Sequence, residues 1–120
     1  MNLGEKQEIF TRCLAELILY MDMEGYGCRL KEVLRTKEQA EIYAAQGKGI
    51  INSNHRNGLA ADIYFTREGE LLWDGGPYEL AAEWWKDTPS LLHAELEFCW
   101  GGDFKRRDVY HYSIKHNGVC

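Results

Sequence analysis

Between residues 4 and 24 the apolar side chains Ile9, Phe10, Cys13, Leu14, Leu17, Ile18 and Met21 recur at steps of three and four, the stripe of an amphipathic helix. Gly25 and Gly27 end it. Over residues 26–34 the period shortens: Cys28, Leu30 and Glu32 share one parity, which predicts a strand whose end is blurred by Val33 and Leu34. Thr36 followed by Glu38 and Gln39 resembles a capping box, in which the hydroxyl and the Gln39 side chain satisfy the first amides of a helix running through Ala45. Gly47 and Gly49 stop that helix. A polar loop over residues 51–58 feeds an apolar run, residues 59–65, that fits a buried strand. Arg67-Glu68-Gly69-Glu70 turns the chain into a short strand around residues 71–73. Pro77 suits the first position of a third helix over residues 77–86, where a missing amide hydrogen is harmless. Trp84 and Trp85 fall on it as core and surface aromatics. Beyond lie a short helical or irregular piece at residues 91–96, an aromatic segment at 98–100, a Gly101-Gly102 break, a charged loop and a strand over 109–114. The mixture predicts an α+β fold, helices packed on a small, mainly antiparallel sheet, as one domain over residues 1–120.

Composition narrows the picture without changing it. A chain of 120 residues, 45% hydrophobic, builds one core but hardly two. With 14 basic and 19 acidic residues the net charge is −5, which gives no electrostatic reason for nucleic acid or an anionic membrane as a partner. The apolar stretch at residues 14–21 is interrupted by Glu16, too short to span a bilayer and wrongly flanked for a signal peptide. Cys13, Cys28, Cys99 and Cys120 contain no C-x-x-C pair. Four free thiols in a reducing cytoplasm are the expectation.

Chemistry concentrates in two places. The segment Ser53-Asn54-His55-Arg56-Asn57-Gly58-Leu59-Ala60-Ala61-Asp62 puts an imidazole in a glycine-flanked loop and a carboxylate inside the predicted buried strand. A buried carboxylate needs a cation, hydrogen bonds or a metal. In Asp108-Val109-Tyr110-His111-Tyr112-Ser113, His111 shares its strand face with Val109 and Ser113. Were that face to meet His55 and Asp62, two nitrogens and one oxygen would form a zinc shell with a fourth position open to water. Asp108, three residues before His111, could then take that water's proton. Plainer alternatives stand beside this: a solvated His55, Asp62 paired with Arg35 or Arg56, and Asp108 on a wet charged face after Lys105, Arg106 and Arg107.

Taken together, Ser53-x-His55-x-x-Gly58-x-Ala60-x-Asp62 and Trp100-Gly101-Gly102-Asp103 followed by Asp108-x-x-His111 resemble the zinc D-Ala-D-Ala carboxypeptidases and phage L-alanyl-D-glutamate peptidases. The resemblance implies one zinc ion held by His55, Asp62 and His111, with Asp108 as general base. Arg35, ahead of the second helix, looks like the family arginine that binds substrate and stabilises the oxyanion; its plainer role is a salt bridge to Asp62 or Glu32. Ser53, Trp100 and Tyr110 are expected around these ligands or the substrate. Many relatives carry proline where Tyr110 stands and an acidic or amide residue at Ser113. The implied activity is hydrolysis of peptidoglycan stem peptides by a monomer, at the L-Ala-D-Glu bond. D-Ala-D-Ala cleavage, or a zinc-containing virion or binding domain without activity, are the alternatives. The likeness to compact phage lysis enzymes implies accumulation in the host cytoplasm and passage to the wall through a holin.

Overall fold

Helix α1 (Leu3–Met23) begins where Asn2 accepts the Glu5 amide at 2.8 Å, so its first turn has a capping acceptor. Its buried face is Phe10, Cys13, Leu14, Leu17 and Met21, most of the stripe expected from the sequence. The computed structural model describes all 120 residues. After α1 comes strand β1 (Gly27–Leu30), shorter than the alternation suggests. Beyond it the chain bulges, Lys31 and Glu32 both bonding to Asp62: Lys31 N–H to the Asp62 carbonyl at 2.9 Å and Asp62 N–H to the Glu32 carbonyl at 2.8 Å. Helix α2 (Lys37–Ala45) starts on Thr36, whose hydroxyl accepts the Gln39 amide at 3.1 Å. Only this half of the capping box forms.

Strands β2 (Ala60–Arg67) and β3 (Glu70–Leu72) are a hairpin turned by Glu68 and Gly69, both at positive φ, the two-residue turn whose twist matches that of paired strands. Helix α3 (Gly76–Asp87) carries Pro77 in its first turn. A 3-10 turn, Pro89–Leu91, leads to β4 (Phe98–Trp100), where the sequence suggested only an aromatic segment. A second 3-10 turn, Gly101–Asp103, precedes β5 (His111–Ile114). The sheet order is β1-β2-β5-β4, with β3 also on β2 and every pairing antiparallel. The α+β architecture is the expected one.

One apolar cluster lies between α1, α3 and the sheet. At its centre the fully buried Trp85 meets Phe10 and Phe98 edge-on, at 5.7 and 5.2 Å, and donates its indole N–H to the Ser113 carbonyl at 3.1 Å. That bond resolves the polar end of the indole in an apolar site. Trp84 is half-buried and stacks on Tyr20.

The cysteines depart from expectation. Cys13 and Cys28 are free, but Cys99 and Cys120 form a disulfide, with Cα atoms 5.8 Å apart. The cause is the Asn117-Gly118 turn, both residues at positive φ (49° and 78°). It reverses the chain so that His116 and Val119 exchange two main-chain bonds of 2.9 Å. Cys120 is thereby carried back to Cys99, the register partner of Ser113 on the neighbouring strand.

Candidate metal centre

The sheet register makes Asp62 and His111 cross-strand neighbours, and the loop before β2 brings His55 over them. His55 is held from several sides. Its amide donates to Ser53 Oγ at 3.2 Å and its carbonyl accepts the Arg35 amide at 2.9 Å. Gly58, at φ +68°, then turns the chain into β2, a conformation that favours glycine.

The two imidazoles and the carboxylate each offer a donor atom, and the three donors lie within 4.8 Å of one another. His55 Nε2 stands 3.3 Å from Asp62 Oδ1 and His111 Nδ1 stands 3.8 Å from it. The opposite ring nitrogens meet main-chain carbonyls: His55 Nδ1 lies 3.3 Å from the Val33 oxygen and His111 Nε2 lies 3.0 Å from the Cys120 oxygen. A carbonyl can only accept, so each of those nitrogens carries a proton, and in the neutral rings the inner nitrogens present lone pairs. Burial lowers the His111 pKa, against the opposing pull of its bond to Cys120, and so favours the neutral ring. Three lone-pair donors therefore face one another, and Asp62 Oδ1 is buried with no hydrogen-bond partner. Such an arrangement is unfavourable unless a cation sits among the donors. Tetrahedral zinc with bonds of about 2.0–2.1 Å sets donors roughly 3.3 Å apart, close to the 3.3 and 3.8 Å between the imidazoles and the Asp62 oxygen. The residues fit a metal of that kind, with each histidine backed by a carbonyl as metal-bound imidazoles usually are.

Asp108 lines the same cavity, of about 530 Å³, without joining the three donors. Burial, then the charge of Asp62, raises its pKa; the Tyr110 amide, donating to Asp108 Oδ1 at 3.2 Å, works against the shift. Its approach depends on Gly101, where a Cβ would come 2.1 Å from the Asp108 carbonyl oxygen and 2.7 Å from the His111 Cβ. The Trp-Gly-Gly motif thus removes a side chain so that the Asp108–His111 turn can pack on it.

Arg35 also lines the cavity, its guanidinium tied to Glu32 through Nε at 2.8 Å and through Nη2, and lying over Tyr43. It pairs with Glu32 rather than Asp62, and Arg56 instead reaches the Ile51 carbonyl at 3.3 Å. Ser53 is buried at the cavity wall. Trp100 and Tyr110 are not among the lining residues: the Trp100 indole donates to the Val109 carbonyl at 2.8 Å, and the Tyr110 hydroxyl donates to the Trp73 carbonyl at 2.6 Å. Trp100 thus meets the main chain next to Asp108, whereas the Tyr110 hydroxyl is tied to the end of the β2–β3 hairpin.

Several features had no reading in the sequence. Lys48, Arg106 and Arg107 join Arg35 on the cavity wall, so an acidic protein carries a basic rim around this site. The Arg106 guanidinium donates to the Gly47 carbonyl at 2.7 Å, tying the charged loop to the end of α2. Glu32, expected only as a partner of Arg35, also stands 3.7 Å from His55 Nδ1, and the carbonyls of Val33 and Cys120 were unmarked. Only the Cys120 fold-back had a local signal, since Asn-Gly is a strong hairpin turn dipeptide.

A solved structure, that of the Serratia marcescens L-Ala D-Glu endopeptidase ChiX, superposes with a TM-score of 0.63 over 93% of this chain and 85% of that one, at 19% identity. No curated protein sequence matches significantly. A family model described as D-alanyl-D-alanine carboxypeptidase matches residues 46–114, more than half of the chain and the whole stretch from His55 to His111. The chain belongs to this D-alanyl-D-alanine carboxypeptidase family of peptidases.

Proposed function

We propose that this protein is a zinc peptidase that hydrolyses peptidoglycan stem peptides at the L-alanyl-D-glutamate bond, with one ion held by His55, Asp62 and His111. The observation that carries the reading is the convergence of three lone pairs on a buried, unpartnered Asp62 oxygen, beside a second carboxylate that is not a ligand. A purely structural metal would need neither Asp108 nor an open cavity.

What zinc supplies when bound is Lewis acidity, which polarises the scissile carbonyl and makes water acidic enough to react near neutral pH. Asp108 accepts a proton from the attacking water on its carboxylate and returns it to the departing amine nitrogen as the C–N bond breaks. A pKa raised by burial makes it a better base than an ordinary carboxylate. Arg35, immobilised by Glu32, offers fixed guanidinium donors to the carbonyl oxygen as negative charge develops there. Tyr110 and Ser53 orient Asp108 and His55 through their hydrogen bonds.

The basic rim suits a substrate with a carboxylate beside the scissile bond, which Lys48, Arg106 and Arg107 can bind whether the residue released is D-glutamyl or D-alanine. The activity named for the structural neighbour supports the L-alanyl-D-glutamate bond, whereas the family description favours release of D-alanine. Mass spectrometry of the products from purified stem peptide decides between them: free L-alanine and a D-glutamyl peptide are expected, and released D-alanine would reverse the preference. Metal analysis and turbidity loss on permeabilised bacteria, with and without a chelator, test the zinc reading. The resemblance to phage L-alanyl-D-glutamate peptidases supports a lysis role with holin-dependent release from the host cytoplasm. Expression with and without a holin checks it, lysis being expected only with the holin.

A further inference from the structure

The two histidines at the centre differ in what holds their outer nitrogens. We propose that the Cys99–Cys120 disulfide is a redox-sensitive latch that positions His111 for its metal; this rests on the metal reading above. The Cys120 main-chain oxygen receives three donors: His111 Nε2 at 3.0 Å, Ser113 Oγ at 2.6 Å and Asn54 Nδ2 at 3.1 Å. It is the group that fixes the His111 proton on Nε2 and leaves the Nδ1 lone pair turned toward Asp62.

The segment that carries that oxygen is peripheral, and the disulfide is its one covalent tie to the sheet beyond the chain itself. None of residues 115–120 is fully buried, and Lys115, Asn117 and Gly118 are exposed. The non-covalent ties of this segment are the His116–Val119 pair, the Asn54 amide on the Val119 and Cys120 oxygens, the Ser113 and His111 bonds to the Cys120 oxygen, a contact between Lys6 Nζ and His116 Nδ1 at 3.1 Å, and the Lys115 bonds to Glu97. The covalent link to Cys99 on β4 turns a peripheral hairpin into a wall of the cavity, where Val119 and Cys120 both stand.

A dithiol reductant opens the latch in two steps. Its thiolate attacks one cysteine sulfur, breaking the S–S bond and releasing the other as thiolate, and its second thiol then displaces the first cysteine from the mixed disulfide. Cys99 and Cys120 gain two electrons and two protons in all, and the reductant leaves as a disulfide. Residues 116–120 can then swing away, and the His111 ring loses the acceptor that set its tautomer and its angle. Losing such an outer-shell partner weakens metal binding by roughly 10–100-fold. The latch thus couples the oxidation state of the surroundings to occupancy of the metal centre.

The test uses the Cys13→Ser/Cys28→Ser protein, in which Cys99 and Cys120 are the only thiols. Zinc affinity is measured by competition with a chromophoric chelator in the oxidised state, after reduction and anaerobic removal of the dithiol, and after reoxidation. The ¹⁵N resonances of His111 in the metal-free protein report which ring nitrogen carries the proton. The expected result is a 10–100-fold reversible loss of affinity on reduction, with loss of the single Nε2–H tautomer and unchanged far-ultraviolet circular dichroism. Cys99→Ser, which keeps the Cys120 main chain, should reproduce it without reductant. Equal affinity and an unchanged tautomer in both states would overturn the latch while leaving the zinc site standing. Global unfolding on reduction would overturn it too, since the disulfide would then hold the whole fold. An oxidised protein that takes up no zinc would instead sink the metal reading itself.

Discussion

His55 and His111 each turn one ring nitrogen to the cavity and the other to a main-chain carbonyl, yet the regions that carry them are built differently. The segment from Ser53 to Asp62 is locally determined: within ten residues it contains two donors, the serine that accepts the His55 amide and the glycine at φ +68° that starts the next strand. The region from Cys99 to Cys120 is assembled from separated pieces. Gly101 must lack a side chain for Asp108 and His111 to approach, and Cys120 must fold back across Ser113 to reach the His111 ring. Equal ligands can thus rest on unequal foundations, and the second region has more ways to fail without a change in the ligands themselves.

The largest effect should be common to both regions. His55→Ala or His111→Ala removes one of the three donors, and each is expected to lower metal affinity by more than the roughly 100-fold of an outer-shell change and to reduce hydrolysis to background. Metal analysis and a stem-peptide assay check this, and a variant that kept full metal content would remove that histidine from the shell. Asp108→Asn belongs to the second region alone. It should retain metal and lose roughly 10²–10⁴-fold in kcat; an unchanged rate would rule Asp108 out of the reaction.

Gly101→Ala and Gly58→Ala compare the two foundations directly. The first puts a methyl against backbone and against His111, with an expected loss of about 1–3 kcal/mol in stability together with weakened metal binding. The second strains one residue at positive φ by roughly 1–2 kcal/mol, and its Cβ meets only the flexible end of Gln7, so metal affinity should change little. Urea unfolding and chelator competition on both variants test the contrast; equal losses of affinity would refute it.

A smaller effect follows from pH. Burial and the Asp62 charge raise the Asp108 pKa, so the folded chain holds this proton more tightly than the unfolded one does. Stability from this group is therefore present at low pH and lost as pH rises from about 3.9, the unfolded value, through the raised folded value. In the metal-free protein the stability difference between wild type and Asp108→Asn should shift against wild type across that window, as measured by urea unfolding at a series of pH values. A difference independent of pH would contradict the shift. The smallest effect concerns the thiols outside the site: burial pushes Cys13 and Cys28 up to about 11. At pH 8 only about one thiol in a thousand is ionised. Iodoacetamide should label the native oxidised protein slowly and modify both cysteines readily in urea.

What could be read from residue order was whatever local rules control. The stripe of α1, the Thr36 cap, the proline that opens α3 and the apolar run of β2 depend on side chains a few positions apart, and they occur close to where that spacing placed them. The motifs around His55, Asp62, Asp108 and His111 were visible for the same reason. β4 was not, because three buried aromatic and thiol residues look alike in a strand or a buried turn until the pairing with β5 is known.

The disulfide, the basic rim and the carbonyl partners of the two imidazoles could not be read from sequence at all. Each joins atoms far apart in the chain, and several are main-chain oxygens, which every residue possesses and no residue type announces. Amino-acid order thus determined which side chains are able to bind a metal and move a proton. Three-dimensional packing decided which nitrogen faces the cavity, because the acceptor on the far side of each ring is supplied by another part of the fold.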